Sequence, residues 1–432
     1  MKNALLVCDN RDVPNWGCRA TSLALHALLD RRFGVSGRVG RLEVLRKEAA
    51  SALVRRAGAL MGGSGLAQAL RNSLAVRDDY VTGDIEASAR TVLRERHDNP
   101  FFESLVSRME AVGLVVVNGE GSMVFKPAER RDLRFQLLCL ELARQLGKPA
   151  FYVNAMISDF PGAARNYATW EKCRDHLSRC TGVQVRDRMS FGLLEEMDVT
   201  TRISVLPDAL FSTADGTLFP SFHPADMPPQ MLAPYPEQPD RLGWRFDQPY
   251  VCVSGSSYFR SRRRYAEARD FMLGVVGRIR DAGLIPVFVA TCTGDAFLEP
   301  LAREAGVCFV PVETNIFVGA AILGNAAAFV SGRYHPTILA TLGGTPCVFM
   351  ESNSHKMASL RLWLEDEAGG EGELSYRDPD VIEAVEAQVL AALSGGRGRR
   401  ERLRQRARTL GLLAATIPDQ IDPRHGSGSL AA

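Results

Sequence analysis

Arginine and histidine stand two residues apart in the stretch "FVSGRYHPTILATLGGTPCVFM" at residues 329–350. An apolar run, "AAAFV" (326–330), leads into Ser331-Gly332, and Arg333-Tyr334-His335 opens a helix-like "TILATL". The pair therefore falls at a turn from strand to helix. Arg333 offers a planar, permanently charged fork that matches a carboxylate or a phosphate. His335 can donate a proton near neutral pH. Together they suit an anionic substrate that must be protonated. The plainer alternative is that Arg333 pairs with a surface carboxylate while His335 caps or packs.

Three other loops that follow apolar runs carry polar chemistry. They are "CDNRDVPNWGCRA" (8–20), "NGEGSM" (118–123) and "SGSSYFRSRRR" (254–264). Glycine lets backbone N–H groups approach an anion, and a following helix N-terminus adds a favourable dipole. None of these loops has Walker A spacing or a clean GxGxxG, which argues against a P-loop NTPase or a dinucleotide enzyme. The histidines are dispersed, without an HxxxH or HxH pair, so no metal site is expected.

The elements that must position these loops alternate. "ALLVC" (4–8), "GLVVV" (113–117), "PAFYVNA" (149–155) and "VQV" (183–185) read as buried strands. "CRATSLALHALLDRRF" (18–33), "LRFQLLCLELARQLG" (133–147) and "RMSFGLLEEM" (188–197) read as helices. Seven prolines between 213 and 248 interrupt the rhythm, which restarts at "PYVCVSGSS" (249–257) and continues through strands at 284–290, 307–312, 326–331 and 346–350. Such alternation means α/β units with mainly parallel sheets. The expected organisation is an N-terminal Rossmann-like domain over 1–212 and a proline-rich linker over 213–248. A C-terminal Rossmann-like domain over 249–395 follows, then a basic helix and disordered tail over 396–432. Two such halves suggest a cleft, with ligands beyond the carboxyl ends of the strands.

Composition narrows the class. The 432 residues are 46% hydrophobic and 24% charged with a formal net charge of +2, which does not suggest a nucleic-acid binder. No export signal or membrane span is read, and nine scattered cysteines without CxxC spacing fit thiols in a reducing cytoplasm. Seven arginines at 397–408 read as a solvated helix face. Contact with an anionic membrane or a lipid-linked acceptor is the alternative.

The motifs together resemble the polysaccharide pyruvyl transferases. "GRYHPTILATLGGTPCVFM" resembles that family's C-terminal Arg-x-His turn, small-residue helix and Gly-x-Pro strand. "NWGCRATSLAL" (15–25) is similar to its Asn-x-Gly loop. "VNGEGSM" stands at its Gly-rich loop, "VRDRMSFGLL" (185–194) at its Arg-Asp segment, "LPDALF" (206–211) after it, and "SHKMASL" (354–360) at its late basic segment. The resemblance covers residues 1 to about 365. Two departures are visible: Cys18-Arg19 where many members have acidic residues, and Asn118-Gly119-Glu120-Gly121 where Gly-Gly-Gly is usual.

The resemblance implies a fold like the two-domain GT-B glycosyltransferases, with parallel sheets facing a cleft. It implies transfer of the enolpyruvyl group of phosphoenolpyruvate to a sugar hydroxyl, leaving a pyruvate ketal, with no cofactor beyond the donor substrate. His335 matches the general acid. Arg333, with the backbone N–H groups of Gly332 and Tyr334, matches a donor clamp. Ser331, Ser256, Lys356 and Arg260 (or Arg262) would complete it. Asn15, Trp16, Gly17, Asn118 and Gly119 fall on the acceptor side, although Trp16 equally fits a core position. Glu120 and Asp208 are candidates for the base that activates the hydroxyl, and Asp208 equally fits a helix cap. The acceptor is a free, nucleotide-linked or lipid-linked sugar. Two rivals stand beside this reading: a glycosyltransferase using a nucleotide sugar, and a non-catalytic glycan-binding member.

Overall fold

The computed structural model describes residues 3–40, 43, 80–219, 222–226, 246–260, 264–364 and 372–422. The chain forms two compact units. One comprises Met1–Val13, Leu25–Leu206 and Thr416–Ala432; the other comprises Pro14–Ala24 and Pro207–Ala415.

The first unit is built on a six-stranded sheet. Its strands are β1 (Ala4–Asp9), β2 (Val35–Gly40), β3 (Leu114–Asn118), β5 (Ala150–Ala155), β7 (Gly182–Val185) and β8 (Ile203–Val205). Their order is β2-β1-β3-β5-β7-β8 and every pairing is parallel. "ALLVCD" and "LVVVN" are buried at every position, the unbroken apolar pattern of strands covered on both faces. A small parallel pair, β4 (Met123–Phe125) with β6 (Ile157–Asp159), lies apart from it. Helices α1 (Trp16–Phe33), α2 (Ile85–Arg94), α3 (Pro100–Glu110), α4 (Arg131–Gln145), α5 (Tyr167–Ser178) and α6 (Arg188–Glu196) follow the strands. Only the Leu25–Phe33 part of α1 belongs to this unit.

The second unit has five parallel strands in the order β11-β10-β9-β12-β13. They are β9 (Tyr250–Ser256), β10 (Ile285–Val289), β11 (Cys308–Val310), β12 (Ala328–Gly332) and β13 (Cys347–Phe349). The order reverses between β9 and β12, the kind of switch point beyond whose carboxyl edge ligands sit in open α/β sheets. The helices are α7 (Tyr265–Asp281), α8 (Leu298–Ala305), α9 (Ile316–Asn325), α10 (Tyr334–Leu342), α11 (Lys356–Leu364), α12 (Val381–Ser394) and α13 (Gly396–Ala414).

The units divide the chain at other positions than the expected boundaries. The first turns of α1 belong to the second unit, because Trp16 is wholly buried there beneath Gly319 and donates its indole N–H to Val312 O at 2.9 Å. The second unit begins at Pro207, before the prolines, and includes the 3₁₀ helix Ala209–Asp215. The expected proline-rich linker lies mostly outside the described residues, as does the tail from 423 on that was expected to be disordered.

The basic helix α13 also belongs to the second unit. Arg400 donates to Ala326 O at 2.6 Å and to Gly324 O at 2.7 Å, and Arg404 donates to Gly343 O at 3.0 Å. These carbonyls end α9 and α10, where guanidinium groups satisfy orphan acceptors and oppose the helix dipole. Arg406 donates to Trp363 O and Arg399 to Ala391 O. Four of the seven arginines are thus turned to backbone carbonyls of their own unit, which corrects the reading of the run as a solvated face. Among the described residues no helix is long and apolar enough to cross a membrane.

Candidate active site

Arg333 and Ser257 follow the two strands that flank the switch point of the second sheet, at the ends of β12 and β9. Arg333 is the N-cap residue of α10, its side chain makes no capping bond, and its own N–H is held by Ser331 Oγ at 3.0 Å. Pro336 sits in the first turn of α10, where its missing N–H is no loss.

The guanidinium is turned inward. Nη2 donates to Asp295 Oδ1 at 2.5 Å and Nη1 donates to Ser257 Oγ at 3.2 Å. Asp295 has no solvent exposure, so the alternative of a surface carboxylate partner is corrected: the partner is a buried one. Burial works against the Arg333 charge, but the neighbouring Asp295 carboxylate holds its pKa above the ordinary value. Lys356, at the start of α11, donates from Nζ to the same Ser257 Oγ at 3.1 Å and to Asn353 Oδ1 at 3.2 Å. Two cations therefore converge on one hydroxyl oxygen.

His335 lies on the first turn of α10, and its Nε2 is 3.1 Å from Asp208 Oδ2. Asp208 Oδ1 accepts from Thr21 Oγ1 at 2.7 Å and from Leu210 N at 3.0 Å, which caps the 3₁₀ helix. The carboxylate is thus both cap and histidine partner, and it is fully buried. That corrects its placing as a base for a sugar hydroxyl, because its two oxygens already serve the fold and the imidazole. The Tyr334 ring stands edge-on to His335, with centroids 5.2 Å apart. Gly17 explains itself here: a Cβ at that position would come within 2.7 Å of His335 Cβ and 2.9 Å of Nδ1.

The other expected donor residues are placed as follows. Ser331 and Ser256 are buried; Ser256 Oγ donates to Glu351 O at 2.6 Å and accepts from Tyr258 N at 3.1 Å. Ser257, not Ser256, is the hydroxyl that meets the cations. Gly332 ends β12 with Ser256 and Glu351 packed against it. The Arg260 side chain and all of Arg262 lie outside the described residues.

The expected acceptor residues divide between the two units. Asn15 caps α1, accepting from Cys18 N at 3.1 Å, and bridges to Cys292. Trp16 is buried core and presents no face to a sugar, a correction. In the first unit, Asn118 ends β3 without solvent exposure and donates to Cys8 O at 3.4 Å, while Gly119 packs against Tyr152 and Ala155. Both residues are buried. Glu120 follows them in a left-handed conformation, φ 37°, and accepts from Asn10 Nδ2. Non-glycine residues with positive φ also stand at Cys8 in β1 and Asn154 in β5. Three neighbouring strands thus carry strained backbone near their carboxyl ends, a pattern typical of ligand sites.

Asp187 caps α6, its carboxylate accepting from Ser190 N at 2.7 Å and Ser190 Oγ at 3.0 Å. Among the described residues no group of three or more His, Cys, Asp or Glu could hold a metal. A cavity of about 270 Å³ in the second unit, between Phe219, Leu339 and Arg404, contains none of the expected site residues.

Asp295, Ser257 and Thr291 were not singled out from the sequence. The signal was present in "ATCTGDAF" (290–297), another polar, glycine-containing turn directly after a strand.

The sequence model of the family described as polysaccharide pyruvyl transferase matches residues 80–354, more than half of the chain. No curated protein matches. Among solved structures, the UDP-GlcNAc 2-epimerase of Neisseria meningitidis bound to UDP-GlcNAc is similar with a TM-score of 0.55 at 11% identity, over 96% of this chain and 98% of that one. S. aureus MnaA with UDP gives 0.54 at 10% identity, over 96% and 95%. The UDP-GlcNAc 2-epimerase of Methanocaldococcus jannaschii gives 0.51 at 11% identity, over 90% and 93%. These likenesses show the fold: α/β with two parallel-sheet, Rossmann-like units of the GT-B type.

Proposed function

This chain belongs to the polysaccharide pyruvyl transferase family and is a transferase, and on that premise we propose that it moves the enolpyruvyl group of phosphoenolpyruvate onto a sugar hydroxyl. The observation that carries the donor is the convergence of Arg333 and Lys356 on Ser257 Oγ. The hydroxyl oxygen stands where an anionic oxygen would accept from both cations, and phosphoenolpyruvate brings a carboxylate and a phosphate.

In this reading His335, oriented by Asp208, protonates the methylene carbon of the donor. The double bond's electrons form the new C–H bond, and positive charge develops at C2. A sugar hydroxyl oxygen then bonds to C2 and gives up its proton. Phosphate leaves with the electrons of its C2–O bond. The departing phosphate takes up that hydroxyl proton. A second hydroxyl oxygen then bonds to C2, returns its proton to His335 and closes the pyruvate ketal. The acceptor is a sugar of a glycan or glycan precursor, and the chemistry needs no resident cofactor. Charge stabilisation by fixed cations supplies much of the remaining barrier reduction.

The test is thermal unfolding with phosphoenolpyruvate, on the native chain and on Arg333→Ala. A ligand that binds the folded state raises the midpoint by mass action. The expected result is a rise for the native chain and its loss in the variant. No rise at millimolar phosphoenolpyruvate, with a rise for a nucleotide sugar, would transfer the reading to a nucleotide-sugar enzyme.

A further inference from the structure

We infer that Asp295 is a positioning residue whose carboxylate fixes the Arg333 guanidinium for binding of the donor's anionic groups. The inference rests on the donor reading above, and it assigns work to a residue outside the Arg-x-His turn.

The Asp295 side chain is fully buried, and its hydrogen bonds serve one arrangement. Oδ2 accepts from Thr291 N and from Thr291 Oγ1, both at 3.1 Å. Oδ1 is left for Arg333 Nη2 at 2.5 Å. The slot is shaped to admit the carboxylate: at Gly255, in β9, the space a Cβ would fill is taken by Asp295 Oδ1. At Gly294, by contrast, a Cβ would only touch Arg333 Nη2, at 3.4 Å. The turn Thr293–Asp295 and the strands β9 and β10 therefore hold the carboxylate rigidly, and the carboxylate holds the guanidinium.

An arginine at a strand end has several rotatable bonds, and leaving it free forfeits binding energy to ordering. Asp295 fixes Nη2 on one edge, which aims Nη1 at Ser257 Oγ, where Lys356 also points. Nε is buried with no hydrogen-bond partner among the described residues. A charge pair this deep contributes little net stability against an apolar alternative, so its geometry is better explained by use than by stability.

The contrary sign is also physical. If Asp295 mainly neutralised Arg333, removing its charge would strengthen anion binding. The experiment separates the two. Phosphoenolpyruvate and inorganic phosphate are titrated by calorimetry into the full native chain, Asp295→Asn, Arg333→Ala and the double variant. Far-UV and near-UV dichroism show whether each variant is folded. The expected result is a dissociation constant for phosphoenolpyruvate raised at least about tenfold in Asp295→Asn. In the Arg333→Ala background the same change should add nothing, because Asp295 acts through Arg333. Unchanged or tighter binding by Asp295→Asn overturns the inference. So does an effect that persists undiminished without Arg333, which would mark Asp295 as merely structural. If the native chain binds phosphate but not phosphoenolpyruvate, the donor reading fails. Weakened phosphate binding in Asp295→Asn then still supports the positioning role, and unchanged phosphate binding removes it.

Discussion

His335 Nε2 sits 3.1 Å from Asp208 Oδ2, across 127 residues of chain, and the carboxylate that meets it is also a helix cap. An orienting acid behind a histidine fixes the ring and its tautomer. His335→Gln should lower turnover by roughly 10²–10⁴-fold, the usual worth of general acid catalysis. Phosphoenolpyruvate should still raise the unfolding midpoint of that variant. Asp208→Asn should lower turnover at least about tenfold. Phosphate release under saturating donor measures both.

Gly17 faces His335 so closely that a methyl group cannot be added without moving the ring. Gly17→Ala should therefore reduce turnover more than tenfold and lower stability, even though alanine favours helices by up to about 1 kcal/mol. Gly192, inside α6, has no atom of the described residues within 4 Å of its missing Cβ. Gly192→Ala should stabilise by about 0.5–1 kcal/mol and leave turnover alone. Urea unfolding and phosphate release on the two variants test the contrast.

Arg400 and Arg397 lie three residues apart but should behave differently. Arg400→Ala removes bonds to Ala326 O, Gly324 O and Gly343 O and should cost about 2–4 kcal/mol. Arg397 is exposed, and Arg397→Ala should stay within about 0.5 kcal/mol of the native chain. Urea midpoints at constant slope give both values.

Glu373 makes stability depend on pH. Burial pushes its carboxyl from an ordinary 4.5 up to about 7; the Ala358 N–H opposes this, Glu351 adds to it, and Lys356 and Arg361 oppose it. Between these values the folded chain holds a proton that the unfolded chain has released. That contribution is present below pH 4.5 and is lost as pH rises to about 7. Glu373→Gln should match the native chain at pH 4.5 and exceed it in stability at pH 8. Equal differences at both pH values would show that Glu373 does not titrate in this window.

The fold was legible because continuous apolar runs such as "LVVVN" and "YVCVS" leave few options besides buried parallel strands. Arg333 and His335 were legible for a different reason: their residue types are unusual at a strand-to-helix turn. Trp16 was misplaced on the acceptor side because an aromatic beside a glycine reads the same whether it meets a sugar or Gly319. The pairing of Asp208 with His335 and of Asp295 with Arg333 was not legible, because each joins positions far apart in sequence. The arginine run misled for the same reason: charge counts as solvated until its carbonyl partners, dozens of residues away, are in view. The unit boundaries were missed at Pro14–Ala24 because a helix that belongs to two units has one uninterrupted periodicity.

The Trp16 indole has a consequence for how the chain is made. Its carbonyl partner, Val312, is synthesised 296 residues later. At about 5–20 residues per second, the ring spends roughly 15–60 seconds without its slot. Throughout that time a large apolar surface and the first turns of α1 are open to other chains. The second unit can close only late in translation, and a fragment starting at Pro207 would be born with a hole where the tryptophan belongs. Nascent chains of this protein should therefore lean on holding chaperones until the strand β11 and helix α9 have left the ribosome.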